Sequence, residues 1–144
     1  MSALYLLQRN PAHPDVIVHS FELHLLSERG YHPALERCVR CGVEITSGRA
    51  GFSPSLGGAL CAADRYGADD SVAVAIASLE LMRHLLAAEP SDLIKYEPDP
   101  RALKQIGQCL RWYIRYRSER ELRSAEFLDI VREQGPGYRV QGIG

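Results

Sequence analysis

No segment of this sequence is long and apolar enough to cross a bilayer. A spanning helix needs about 20 consecutive apolar residues, and the longest strongly apolar run covers only residues 72–77. A secretion signal is not expected: Leu4-Tyr5-Leu6-Leu7 is too short for a signal core, and no positive charge precedes it. The chain also lacks an excess of either charge. Its 17 Lys and Arg stand against 18 Asp and Glu, for a net charge of −1. The molecule as a whole therefore exerts little pull on nucleic acid or anionic membrane. There is no internal repeat and no low-complexity tract. H-E-x-x-H, G-x-S-x-G and Walker patterns are absent, and so is the H-x-E that precedes the cysteine pair of zinc deaminases. Gly57-Gly58 lacks the setting of a phosphate loop. These absences point to a cytoplasmic protein that is not an enzyme and has no membrane role.

What is present suits one folded domain over residues 1–144. At 46% hydrophobic and 24% charged residues the chain is not disordered in composition. A domain of this length can bury roughly 70% of the surface its unfolded chain exposes. The expected class is mainly α: a helical domain with an inserted, zinc-knuckle-like loop and a short β-hairpin. Residues 1–9 suggest a short helical turn. Asp15 reads as the N-cap of a helix to about Arg29, closed by Gly30, with Val18, Phe21, Leu25 and Leu26 as its core face. Residues 31–67 change character, with Pro33, Pro54, several glycines and three of the four cysteines. Residues 52–61 read as a tight hairpin turned at Pro54 and Gly57-Gly58. Asp69, Asp70 and Ser71 offer caps for a second, largely apolar helix to about Ala88. After a short turn over residues 91–97, Asp99-Pro100 opens a third helix to about Arg120, with Leu103, Ile106, Leu110 and Ile114 inward. A last helix is expected over residues 124–133, stopped by Gly135-Pro136-Gly137 and ending in a frayed tail.

The cysteines carry the clearest chemistry. Cys38-x2-Cys41 is followed by 19 residues and then Cys61-x2-Asp64. Two intervening residues let both side chains of one turn face one ion, and a second such turn completes a tetrahedron. Gly42 lets the backbone bend closely after Cys41. Three thiolates and one carboxylate form an acceptable zinc set. The spacing alone also allows a knuckle packed without metal, a disulfide, or a three-ligand site with water in place of Asp64. The last would suit a small metalloenzyme, but neither Glu36 nor Glu44 is spaced as a base, so a structural zinc is the expected role. His32 is a conceivable substitute ligand. Cys109 reads as a core residue.

A longer string surrounds these cysteines: Phe21-Glu22-Leu23, Leu25-Leu26, Gly30-Tyr31-His32-Pro33, Leu35, Cys38-Val39-Arg40-Cys41-Gly42, Phe52-Ser53-Pro54, Gly57-Gly58 and Leu60-Cys61, with an echo at Leu122, Ser124, Phe127 and Leu128. It resembles the C-terminal part of RecO, the bacterial recombination mediator, over about residues 16–130. The resemblance implies a helical domain with a zinc knuckle, working in DNA repair and recombination. It implies binding to single- and double-stranded DNA and to the tail of single-stranded-DNA-binding protein, and action with RecR in loading RecA. In two respects the chain departs from that pattern. Asp64 stands where the family has a fourth cysteine, and the chain has no room for the N-terminal OB-fold on which DNA annealing rests.

The charge that is balanced overall is unevenly spread. Residues 1–100 carry 8 basic against 13 acidic residues, and residues 101–144 carry 9 against 5. Within the basic end, Lys104, Gln108, Arg111 and Arg115 share one helical face, with Trp112 and Tyr116 beside it. Such a surface suits single-stranded nucleic acid, through phosphate neutralisation and base stacking. It equally suits an acidic peptide with a hydrophobic end, or a solvated face whose aromatics rest at the core edge. The rival to a DNA-repair role is a zinc-stapled adaptor with no direct contact to DNA. Glu80 with His84, and His24 with Glu28, read as surface pairs.

Overall fold

The computed structural model describes the backbone of residues 3–134 and the side chains of residues 4–125. Its elements are α1 (Ala3–Leu7), α2 (Pro14–Glu28), β1 (Ala50–Ser53), β2 (Gly58–Leu60), β3 (Val72–Val74), α3 (Ile76–Ala87), a 3-10 turn (Pro90–Leu93) and α4 (Pro100–Gln134). The mainly helical class holds, with one small antiparallel sheet ordered β2-β1-β3. The hairpin is real, with Phe52 opposite Ala59. A third strand joins it, with Phe52 opposite Val72.

That strand corrects the expected helix start at Asp69–Ser71. Val72 and Val74 are β-branched and suit a pleated surface, and β1 offers them a free edge. Helix α3 begins only at Ile76. The cap of α2 also differs. His13 occupies the cap position without a side-chain bond, and Asp15 lies within the first turn, where its charge still favours the helix dipole. The expected close at Gly30 holds. Gly30 has φ +88°, its N–H donates to the Ser27 carbonyl and that of Tyr31 to the Leu26 carbonyl, a Schellman motif.

The core face of α2 is rotated from the one expected. Val16, Ile17, Ser20, Leu23 and Leu26 are buried, whereas Phe21 is 51% exposed and Val18 and Leu25 are also open. Apolar residues surround this helix almost completely, so periodicity cannot select a side. The packing of α1, α3 and α4 does so. On α4, Ile106 and Leu110 are buried as expected, and Ala102, Cys109 and Tyr113 join them, while Leu103 and Ile114 pack at the margin. Helix α4 continues through residues 121–123 rather than breaking there. That stretch contains no glycine or proline, and Glu, Leu and Arg propagate a helix well.

Residues 31–67 have few large apolar side chains of their own and are tied to the helices at specific points. Phe52 meets Tyr113 edge-to-face, with ring centroids 5.7 Å apart, and the Tyr113 hydroxyl donates to the Tyr31 carbonyl at 2.8 Å. From α3, Arg83 Nε and Nη2 donate to the Leu35 carbonyl at 3.0 and 2.7 Å, and Nη2 also donates to the Ile45 carbonyl at 3.0 Å. Gly58 sits where a Cβ would lie 2.5 Å from the Ala34 carbonyl oxygen and 2.7 Å from Val39 Cγ1, so only glycine lets the two segments pair.

Replacing Arg83 with methionine keeps the stem and removes all three bonds. Leaving the two carbonyls without these donors is expected to cost about 2–4 kcal/mol, read as a lower urea midpoint. Arg83→Lys should recover part of that loss.

Candidate functional site

The knuckle is built from two turns. In the first, the Cys38 N–H donates to the Val43 carbonyl at 2.8 Å and the Gly42 N–H to the Cys38 carbonyl at 2.9 Å, with Gly42 at φ +79°. The second turn closes by the Asp64 N–H donating to the Cys61 carbonyl at 3.1 Å. Arg40 links the turns by donating to the Gly67 carbonyl. The sequence-predicted quartet Cys38, Cys41, Cys61 and Asp64 is thereby brought together, with one ligand atom from each lying within 4.8 Å of all the others.

The spacing fits a four-coordinate ion. With metal–sulfur bonds of about 2.3 Å and metal–oxygen bonds of about 2.0 Å, tetrahedral angles place sulfurs about 3.8 Å apart and sulfur about 3.5 Å from oxygen. The Sγ atoms of Cys41 and Cys61 are 3.6 Å apart. Asp64 Oδ2 lies 3.4 Å from Cys38 Sγ and 3.5 Å from Cys61 Sγ. These four residues can hold a metal. Burial opposes ionisation of Cys38, but backbone N–H groups of Cys41, Cys61 and Arg40 outweigh it and lower its pKa. The Cys41 thiol is favoured in ionised form by the Val43 backbone, yet burial and the neighbouring Cys61, Cys38 and Asp64 groups push its pKa up to about 11. Asp64 is lowered by bonds from Cys41 and then Cys38, with Arg40 adding to the effect. Such crowding of three thiols and a carboxylate is what a cation would relieve.

His32 is not a fifth candidate, because its Nδ1 bonds to Ser27 Oγ at 2.7 Å. Cys109 lies in the core, and burial pushes its pKa up to about 11. Glu44 is exposed and lies 3.8 Å from Arg37. His84 stacks on Tyr96, and His24 bonds to the Ser20 carbonyl at 2.8 Å, so both serve packing.

The α4 residues expected to act together are divided between two clefts. Lys104, Gln108 and Arg111 line one of about 530 Å³ beside His13, Asp15 and His19. Trp112, Arg115 and Tyr116 line another of about 320 Å³ against Pro54, Asp70 and Val72. Among the described residues, Lys104, Arg111 and Arg115 form no ion pair. Trp112 is 43% exposed. Two residues were not anticipated here. Asp70, read as a helix cap, instead accepts from the hydroxyls of Ser53 (2.6 Å) and Ser55 (2.9 Å) and from the Ser55 N–H (2.7 Å). It thus fixes the β1–β2 turn that carries Pro54. Arg117 spreads its guanidinium over Tyr31, at 4.7 Å, and over Tyr113 and Tyr116. The Tyr113/Arg117 spacing of four residues was the only sequence signal for it.

A helical domain whose loop-rich insert converges on a three-cysteine, one-aspartate corner is the class that the fold and site define. The family model for the C-terminal region of recombination protein O matches residues 1–126, and the chain belongs to that family. It is 38% identical over 122 residues to the DNA repair protein RecO of Roseiflexus sp. strain RS-1, covering 83% of this chain and 42% of that protein. It is 33% identical over 134 residues to the DNA repair protein RecO of Symbiobacterium thermophilum, covering 92% and 53%. The RecO of Heliobacterium modesticaldum is 32% identical over 121 residues, covering 81% and 44%. The chain thus spans about half the length of these curated relatives. No solved structure matches it. Among the described residues, no helix is long and apolar enough to cross a membrane.

Burial raises the Asp70 pKa, but the bonds from Ser53 and Ser55 outweigh it, and the net shift is downward. Its contribution to stability is therefore complete above the unfolded carboxylate range and is lost as pH falls through the lowered folded value. Asp70→Ala is expected to lose about 1.5–3 kcal/mol at pH 7. In urea melts compared between pH 7 and 3, the gap from wild type should narrow only below about pH 4.

Proposed function

We propose that the chain is a non-catalytic, cytoplasmic module of DNA repair and recombination that holds a structural zinc and uses α4 to bind repair partners. The zinc would be held by Cys38, Cys41, Cys61 and Asp64. When bound it supplies a cross-link between the two turns, which Arg40 also joins by donating to the Gly67 carbonyl. Four protein donors already fill a tetrahedron, which leaves no open position for substrate and supports a structural role. A structural zinc contributes about 10–16 kcal/mol to small domains, comparable with a whole domain's stability of about 5–15 kcal/mol. The arrangement of the two cysteine turns would depend on it.

The observation that carries the partner reading is the cleft of Trp112, Arg115 and Tyr116 against Pro54 and Val72. It pairs an aromatic and apolar floor with Arg115, which forms no ion pair among the described residues, and it carries Asp70, held by Ser53 and Ser55, and Glu119 at its edge. That chemistry suits an acidic peptide ending in a hydrophobic residue, as on the tail of single-stranded-DNA-binding protein. RecR is a second partner consistent with family membership. Lys104 and Arg111 are available to single-stranded DNA phosphates from the neighbouring cleft. The separation of Lys104 and Arg111 from the aromatic residues Trp112 and Tyr116 also favours a second reading. In it the chain is a zinc-stapled adaptor that grips peptides and touches no DNA.

Trp112 is the chain's only tryptophan, so its fluorescence reports directly on the cleft. Titration with the acidic tail peptide should shift that emission, and Arg115→Glu should weaken binding by about tenfold, or 1.4 kcal/mol. An unchanged affinity in Arg115→Glu would remove the cleft from the proposal. Oligothymidine binding that weakens with salt and is lost in Lys104→Glu with Arg111→Glu supports the DNA role. No oligothymidine binding leaves the adaptor reading. For the metal, cobalt(II) should give the visible spectrum of a tetrahedral three-sulfur site, with affinity at least about tenfold lower in Asp64→Ala. Protein purified without chelators that contains no zinc sinks the metal reading.

A further inference from the structure

The three cysteines of the knuckle differ in ways that their spacing does not reveal. Cys38 is 3% exposed, and Cys61 is half-buried while Cys41 is exposed. Cys41 and Cys61 bring their sulfurs within 3.6 Å. Cys38 and Cys61 both donate to Asp64 Oδ2, at 3.4 and 3.5 Å, but Cys38 is also framed by the backbone N–H groups of Arg40, Cys41 and Cys61. One sulfur is therefore open to solvent, a second lies beside it, and the third is shielded.

We propose that Cys41 and Cys61 form an oxidative modification site, in which hydrogen peroxide joins them as a disulfide and expels the metal. This rests on the zinc reading above. In the first step Cys41 Sγ, which is deprotonated when it serves as a metal ligand, attacks one peroxide oxygen. The O–O bond breaks, a proton is taken up, and Cys41 sulfenic acid and water result. In the second step the Cys61 thiolate attacks the Cys41 sulfur. The S–O bond breaks, a second proton is taken up, and a disulfide and a second water form. Two thiolates lose two electrons and one peroxide gains them. The sulfurs must close from 3.6 Å to about 2.05 Å, a movement within reach of side-chain rotation in a turn that already bends at Gly42.

Asp64 sets the end point of the oxidation. In a four-cysteine knuckle the remaining two thiols could pair or keep part of the coordination. Here only Cys38 and Asp64 remain, two donors where a structural site needs four. Cys38 has no second partner, because Cys109 is buried in α4. Oxidation therefore ends in one defined disulfide and release of the ion. It also unties Cys61 from the first turn. Cys61 directly follows β2, the strand whose turn carries Pro54 into the Trp112 cleft, so the oxidised state is coupled to that surface.

The test uses the full chain as purified, loaded with zinc and treated with hydrogen peroxide in small molar excess. Released zinc is read with a chromophoric chelator, and thiols are alkylated under denaturing, non-reducing conditions and mapped by mass spectrometry. The expected result is one zinc released per chain. The four alkylatable cysteines fall to two, Cys38 and Cys109, with a peptide cross-linked through Cys41 and Cys61 and both changes reversed by dithiothreitol. Zinc retained at that dose, a cross-link through Cys38, or sulfinic acid without a cross-link overturns the proposal. If the purified protein carries no zinc, the metal reading fails by itself. Thiol mapping of the reduced, metal-free chain then decides the Cys41–Cys61 pair separately.

Discussion

The guanidinium of Arg83 reaches out from α3, with two nitrogens on the carbonyl of Leu35 and one of them also on that of Ile45. These carbonyls belong to segments on either side of the first cysteine turn. Neither lies in a strand or helix that would otherwise satisfy it, and a buried carbonyl without a donor is costly. One side chain therefore fixes both ends of the loop holding Cys38 and Cys41. Tyr113 does the same from α4 through its bond to the Tyr31 carbonyl and its edge contact with Phe52. The insert is held from below by two helices before any metal is considered.

The outer side of the insert rests on β1 instead, where a Cβ on Gly51 would lie 2.8 Å from the Arg65 carbonyl oxygen. The turn that begins at Cys61 meets the cysteine knuckle mainly through Arg40 and the sulfur–carboxylate cluster. Three thiols and a carboxylate crowd one point, and the pKa of Cys41 rises while that of Asp64 falls. Polar groups drawn this close without a counter-charge gain little from one another, whereas a divalent cation turns their crowding into attraction. The inner face is fastened by packing and by hydrogen bonds from Arg83 and Tyr113, and the outer corner gathers the residues that can hold a metal.

Much of this was legible in the chain. The cysteine spacing located the quartet, because ligands two residues apart are constrained by local turn geometry alone. Gly30 marked the end of α2 for a similar reason, since its left-handed conformation is a local demand. Features decided by distant neighbours were not legible. Helix α2 is apolar on nearly every side, so its buried face was chosen by α1, α3 and α4, and Phe21 was left outside. Val72-Ala73-Val74 became a strand because β1 had an open edge, and that freed Asp70 from capping a helix to brace the β1–β2 turn. The residues of α4 were grouped by helical angle, and the structure separates Arg115 from Lys104, Gln108 and Arg111. Angle alone says nothing of what stands opposite, which is why Lys104 and Trp112 came to line different clefts.

That separation bears on the proposed binding of nucleic acid and of a peptide by the same helix. A continuous groove lined by both cations and aromatics would make a peptide and a DNA strand compete for the same side chains. Here Lys104 and Arg111 face the N-terminal part of α2, and Trp112 and Arg115 face the sheet. The two surfaces share one rigid helix, and Arg111 and Trp112 are consecutive residues on it. A ligand in either cleft would leave the other open and would meet a fixed geometry rather than a loop. The sheet side alone is continuous with the insert, through Pro54 and the Asp70-braced turn, so the peptide-type cleft is the one exposed to events at the cysteines. Two routes therefore join the insert to that cleft: β1 and β2 through Pro54, and α4 through Tyr113 and Arg117, which meet Tyr31 and Tyr116.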